Sequence, residues 1–116
     1  MQISIYHNPR CSKSRQTLEL LTERGLQPTI VEYLKTPPTH QQLDSILRGL
    51  ELTPRELMRK GEAEYTQLEL DDEALSRDQL INAMIDNPKL IERPIVVAGD
   101  QIVIGRPPEA VLTILP

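Results

Sequence analysis

A chain of 116 residues with a formal net charge of -4 has the length of one domain, at roughly 100–200 residues per domain, which excludes a two-domain enzyme. Abundant Leu, Ile and Val can fill one core, and 26% charged residues fit a folded globule better than a disordered chain. Phe and Trp are absent and Tyr occurs three times, so there is no stacking platform for bases, and the acidic balance disfavours binding to nucleic-acid phosphates.

The start, Met1-Gln2-Ile3-Ser4-Ile5-Tyr6, lacks the basic residues and long apolar stretch of a secretion signal, and no run approaches the ~20 apolar residues of a membrane span. The expectation is a cytoplasmic monomer with no membrane attachment. Cys11 is the one cysteine, so no internal disulfide staples the fold and any redox cycle must borrow a partner thiol. Nine Arg against four Lys lean toward forked recognition of carboxylates or oxyanions.

In chain order, Gln2 to Tyr6 reads as a strand running into the loop His7-Asn8-Pro9. Leu18 and Leu21 stand at helical spacing with Leu20 beside them, and Gly25 falls where a left-handed cap ends a helix of about a dozen residues. Thr29 to Leu34 reads as a second strand, giving a βαβ unit with parallel strands and a right-handed crossover.

From about residue 36 to 90 the pattern becomes all-helical. Thr39-x-x-Gln42, Thr53-Pro54-x-Glu56 and Ser76-x-x-Gln79 each have the form of a capping box, in which side chain and backbone satisfy each other at a helix start. The stripes Leu43, Ile46, Leu47 and Leu50, then Leu57 and Met58, then Leu80, Ile81, Met84 and Ile85 are core positions, not a binding groove. Beyond the insert, Pro94 to Ala98 and Gln101 to Ile104 flank Gly99-Asp100 as a hairpin, and Ala110, Val111, Ile114 and Leu115 form a last short helix. The order is β-α-β, helical insert, β-β-α, which is that of one thioredoxin-like (glutaredoxin-like) α/β domain over residues 1–116, with a mixed sheet interrupted once.

Cys11 follows the first strand and precedes the first helix, so its sulfur should sit among unpaired helix N–H groups that favour an anion. A free thiol of pKa ~8.5 needs a shift of about two units to ionise at neutral pH, roughly 2.7 kcal/mol, more than a helix terminus alone provides. His7, Arg10 and Arg15 are the local sources of further help. Position alone leaves an inert thiol as an even alternative. A phosphatase loop, C-x5-R, is excluded because Thr17 occupies the arginine position, and C-x-x-C is excluded because position 14 is Ser14. One cysteine and the distant His7 and His40 show no metal-ligand spacing.

The run His7-Asn8-Pro9-Arg10-Cys11-Ser12-Lys13-Ser14-Arg15 resembles the active-site segment of the ArsC family of glutaredoxin-coupled arsenate reductases. The likeness continues through Leu57-Met58-Arg59-Lys60, Asn87-Pro88 with Glu92-Arg93-Pro94-Ile95-Val96-Val97, and Gly105-Arg106-Pro107, and so runs end to end; it is nearest the short YfgD-type branch. The resemblance implies a nucleophilic Cys11, thiolate stabilisation by His7, Ser14 and Arg15, and an oxyanion pocket completed by Arg59, Arg93 and Arg106. It also implies a cis-proline at Pro94, before the hairpin strand. The activity implied is reduction of arsenate to arsenite through a covalent Cys11 adduct, with glutathione as reducing co-substrate, glutaredoxin as partner, and no bound cofactor or metal. Two other readings stand beside it. One is an Spx-like adaptor that binds RNA polymerase, disfavoured by the absent C-x-x-C and the present Gly105-Arg106-Pro107. The other is a general glutathione-dependent thiol oxidoreductase, which oxyanion dependence would separate.

Overall fold

The computed structural model describes residues 2–116. The chain forms two compact units, one of residues up to Thr36 together with Arg93–Pro116, the other of Pro37–Glu92. The expected insert, about 36–90, corresponds in its bounds to the second of these.

In the first unit, β1 (Ile3–Tyr6), α1 (Ser12–Glu23) and β2 (Thr29–Val31) are followed, after the interruption, by β3 (Ile95–Ala98) and β4 (Gln101–Ile104). The sheet order is β2-β1-β3-β4. β1 pairs in parallel with β2 and antiparallel with β3, and β3 pairs antiparallel with β4, with Ile5 opposite Val96 and Val96 opposite Val103. Alternation puts Ile3, Ile5, Val96 and Ala98 on the face that packs with Leu21 of α1 and Val111 of the C-terminal segment. Leu18, Leu20, Leu26, Ile114 and Leu115 lie against this core.

Two local details differ from the sequence expectation, and the expected hairpin turn takes a specific form. β2 stops at Val31, because His7 N–H takes the Val31 carbonyl at 2.8 Å and the amides of Lys35 and Thr36 fold back onto the Glu32 carbonyl, each at 2.9 Å. The last segment, Pro108–Ile114, is a 3-10 helix and not an α-helix; its three-residue turn sets Val111 and Ile114 on one side, toward the core. The Gly99-Asp100 order, reversed from the commonest hairpin turns, has a structural reason. Gly99 has φ of +63° and Asp100 is not in the left-handed region, the pairing a type II′ turn needs with glycine first.

The second unit contains α2 (His40–Leu50), α3 (Pro54–Leu57), α4 (Ala63–Gln67), α5 (Arg77–Asp86) and a 3-10 turn, Pro88–Leu90. Thr39, Ser76 and Thr53 each form the reciprocal capping box that their spacing predicts. Leu43, Ile46, Leu47, Leu57, Met58, Leu80, Ile81 and Met84 are buried, whereas Leu50 and Ile85 are only partly covered. α4 buries no residue and has no side-chain cap, so its sequence carries no apolar stripe to announce it. Met58 bridges to Ile91, and Arg59 N–H donates to the Leu90 carbonyl at 2.7 Å, which fixes the backbone on both sides of the Arg59 position.

Because Ser76 satisfies the Gln79 amide at the start of α5, Ser76→Ala should lower stability by about 1 kcal/mol. The check is a lower urea midpoint at unchanged slope; an unmoved midpoint would show the cap to be idle.

Candidate active site

Cys11 is the N-cap of α1, with extended backbone angles and its amide donating to the Asn8 carbonyl at 3.0 Å. This loop is tied by a buried polar cluster. The Ser14 hydroxyl accepts the Asn8 amide at 3.0 Å and lies 2.6 Å from His7 Nδ1. With one proton and two acceptor lone pairs, the Ser14 hydroxyl can hold the Asn8 amide and pair with His7 Nδ1 in either ring tautomer. Burial lowers the His7 pKa, the Glu32 carboxylate opposes that shift, and the Arg15 charge adds to it. The net lowering agrees with a neutral ring. Asn8 Oδ1 accepts the Arg10 amide at 3.0 Å, and Arg15 donates to the Pro9 carbonyl at 2.9 Å, completing the turn that presents Cys11.

The thiol is 8% exposed. Burial is the largest single influence on it and pushes its pKa up. A hydrogen bond from Arg93, the amides of Ser14 and Lys13, and the Arg93 charge push the other way, and the net shift is downward. Cys11 makes no formal side-chain cap bond, so the two amides act as oriented dipoles at the helix start.

A second guanidinium reaches the sulfur directly. Arg106 Nη2 lies 3.5 Å from Cys11 Sγ while its Nε donates to the Arg93 carbonyl at 2.8 Å. One planar group therefore links the Cys11 sulfur to the residue before Pro94. The Arg93–Pro94 peptide bond is cis, and so is Arg106–Pro107. The loop that carries Arg106 is held by close packing, since a Cβ on Gly105 would come within 2.6 Å of Thr17 Oγ1 and 2.9 Å of Pro94 Cγ. Gly105 N–H donates to the Pro94 carbonyl at 2.9 Å, and the fully buried Thr17 hydroxyl bonds Lys13 O at 2.8 Å and reaches Gly105 O at 3.4 Å.

Of the residues singled out in the sequence, Cys11, Arg93 and Arg106 converge, and His7 and Ser14 support the Cys11 loop. Arg15 bonds the loop backbone. Arg59 belongs to the helical unit, where Glu92 holds it at 3.1 Å and Glu62 at 3.4 Å. Asn8, Thr17 and Gly105 hold the Cys11 and Arg106 loops but were not candidate site residues. Asn8 and Gly105 carry a signal as members of the segments His7-Asn8-Pro9 and Gly105-Arg106-Pro107, and Thr17 carries none. Among the described residues no group of three or more His, Cys, Asp or Glu could hold a metal ion.

A parallel βαβ half and an antiparallel hairpin, with one thiol at the helix start beside two arginines, define a thioredoxin-like protein of the ArsC type. The ArsC family model matches residues 6–114, and the chain belongs to this family. It is 56% identical over 115 residues to the Escherichia coli (strain K12) protein YfgD, covering 98% of this chain and 97% of that protein. It is 47% identical over 116 residues to an arsenate reductase of Haemophilus influenzae, covering 99% of this chain and 100% of that one. An arsenate reductase from Vibrio cholerae has a solved structure that superposes with a TM-score of 0.95 at 50% identity, covering 99% of this chain and 98% of the other.

Two outcomes follow from this geometry. The rate of Cys11 alkylation by iodoacetamide should reach half its plateau at a pH below the ~8.5 of a free thiol, and Arg93→Ala should move that midpoint upward. An unshifted wild-type profile would remove the electrostatic account. Gly105→Ala should cost about 1–3 kcal/mol by overpacking against Thr17 and Pro94, and should raise the Cys11 midpoint as Arg106 is displaced. Denaturation and alkylation measured on the same variant test both.

Proposed function

We propose that this chain is an arsenate reductase that works through a covalent Cys11 adduct and is recycled by glutathione and glutaredoxin. The observation that carries the proposal is the buried Cys11 thiol, lowered in pKa at a helix start, with the Arg106 guanidinium on its sulfur and Arg93 acting on it. The arsenate reductases of Haemophilus influenzae and Vibrio cholerae support the substrate, being about half identical over nearly the whole chain.

In this reading the Cys11 thiolate attacks As(V) and one oxygen leaves as water after protonation. Arg93 and Arg106, with Arg59 assigned by family resemblance, offset the oxyanion charge through planar, forked donors. Glutathione thiolate then attacks Sγ. The S–S bond forms as the S–As bond breaks, and the electron pair goes to arsenic, which leaves as arsenite. A glutaredoxin thiolate displaces Cys11 from the mixed disulfide and takes up the glutathionyl sulfur. No second cysteine of the chain can do this, and Ser14, in the position of a resolving cysteine, is engaged with His7. The cytoplasm is the compartment that keeps such thiols reduced. Among the described residues no helix is long and apolar enough to cross a membrane. The reaction asks for no bound cofactor and one copy of the chain.

The test is arsenate-dependent NADPH oxidation with glutathione, glutathione reductase and glutaredoxin present. Cys11→Ser should abolish it without unfolding the chain. Arg59→Ala, Arg93→Ala and Arg106→Ala should each lose about 10- to 150-fold, the worth of a charge-assisted contact of ~1.5–3 kcal/mol. Arg93→Lys should recover part of the loss, since it keeps charge but not the fork. Turnover of glutathione-protein disulfides without any arsenate reduction would replace this reading with the general oxidoreductase.

A further inference from the structure

A cleft of about 290 Å³ opens beside the loop that presents Cys11, lined by His7, Asn8, Pro9 and Arg10 on one side and Glu32, Leu34 and Lys35 on the other. Its two walls are joined where His7 N–H meets the Val31 carbonyl at 2.8 Å, so the cleft belongs to the same sheet end as the nucleophile. The proposed chemistry uses neither Arg10 nor Lys35. The Arg10 guanidinium engages no acceptor among the described residues. Lys35 meets Glu32 at 3.6 Å, with side chains 78% and 43% exposed, the kind of surface pair that contributes little and is easily exchanged for a ligand. Leu34, 38% exposed, and Pro9 supply apolar surface between these charges.

With His7 neutral, the cleft presents two cations and one anion on a chain whose net charge is -4. Its local sign is therefore opposite to that of the whole molecule. Among thiols, a small peptide with two carboxylates and one ammonium has the complementary set: carboxylates for Arg10 and Lys35, ammonium for Glu32, and a short backbone for Leu34 and Pro9. We propose that this cleft seats glutathione and directs its thiol to the neighbouring Cys11. The inference rests on the reductase reading above, and it adds the place and the charges that select the reductant. Binding precedes the exchange already described and changes no bond of its own.

Two measurements keep the seat and the reductase reading apart. S-methylglutathione, which cannot react, is titrated into the full chain and backbone amide shifts are followed by NMR. Shifts concentrated at residues 7–10 and 32–35 are expected, and shifts confined to other regions, or none up to millimolar ligand, overturn the seat whether or not the chain reduces arsenate. In steady state, Lys35→Glu combined with Arg10→Glu should raise KM for glutathione about tenfold by reversing two cations. Turnover supported by the uncharged thiol 2-mercaptoethanol should stay within about twofold of wild type. A double variant with unchanged KM for glutathione, or one that loses both thiols equally, rejects the proposal. Absence of arsenate reduction in the wild-type chain rejects only the reductase reading, since the NMR titration stands without turnover.

Discussion

The burial of the Cys11 sulfur is opposed by a hydrogen bond and charge from Arg93 and by the Ser14 and Lys13 amides, and the Arg106 guanidinium lies 3.5 Å from the same sulfur. A thiol 8% exposed is driven toward its neutral form, and burial is the strongest single influence on Cys11. The net shift is nevertheless downward, so donors and charge together outweigh desolvation. A helix terminus contributes ~0.3–1 kcal/mol in ordinary settings, too little by itself to reverse a burial penalty. Arg93 and the helix-start amides together therefore decide the state of the thiol. Their placement depends on the sheet order, because setting β3 next to β1 brings Arg93, two residues before β3, to the end of β1 where the Cys11 loop begins. Gly105 then lets the following loop close against Thr17 and Pro94 without a Cβ in the way.

The His7–Ser14–Asn8 cluster has a different part. A buried histidine charged next to Arg15 would be costly, and its pKa is held down accordingly. A neutral His7 adds no positive charge beside the thiolate. Its value is geometric: the ring locks the Ser14 hydroxyl, Ser14 holds the Asn8 amide, and the Asn8 carbonyl receives the Cys11 amide. Each buried polar atom in this chain of contacts finds a partner, which is the condition under which such a cluster rigidifies a loop. The arrangement also explains why serine serves at position 14, where a second thiol would be a weaker hydrogen-bond partner for His7 and a weaker acceptor for the Asn8 amide.

What the sequence made legible was local. Capping boxes at Thr39, Thr53 and Ser76 can be read directly because cap and partner lie three residues apart, and β1, α1 and the hairpin follow from alternation, spacing and turn residues. β2 is three residues shorter than its sequence suggests, because its end is set by the reach of β1 and by a turn at Glu32, neither of which shows in the apolar pattern. α4 escaped because it buries nothing. At the site, Cys11 could be placed at a helix start from its position between strand and helix. The meeting of Arg93 and Arg106 on it could not be read that way, since 95 residues separate Arg106 from Cys11 and no local periodicity encodes that contact. The family resemblance named these arginines; Thr17, whose hydroxyl helps hold the Gly105 carbonyl, had no sequence signal at all.

The arginines face two demands that pull in opposite directions. Lowering the thiol pKa increases the thiolate fraction but weakens each thiolate as a nucleophile, with reactivity following basicity by a Brønsted slope of about 0.4–0.5. Once the pKa falls below ambient pH, further stabilisation reduces the rate, so the useful shift is a modest one. Burial limits the shift here, because it pushes Cys11 up against the pull of Arg93 and the helix amides. In the proposed chemistry, the same cations would gain a second use when Sγ bonds to an electrophile and its negative charge is spent. Donors that had favoured the thiolate then find their best remaining acceptor in the oxygens of the attacked group. Ground-state thiolate stabilisation would thus be converted to transition-state stabilisation as charge moves from sulfur to oxygen, which is the differential binding that catalysis requires. A fixed planar guanidinium, held at its Nε by the Arg93 carbonyl, can follow that movement with little reorganisation.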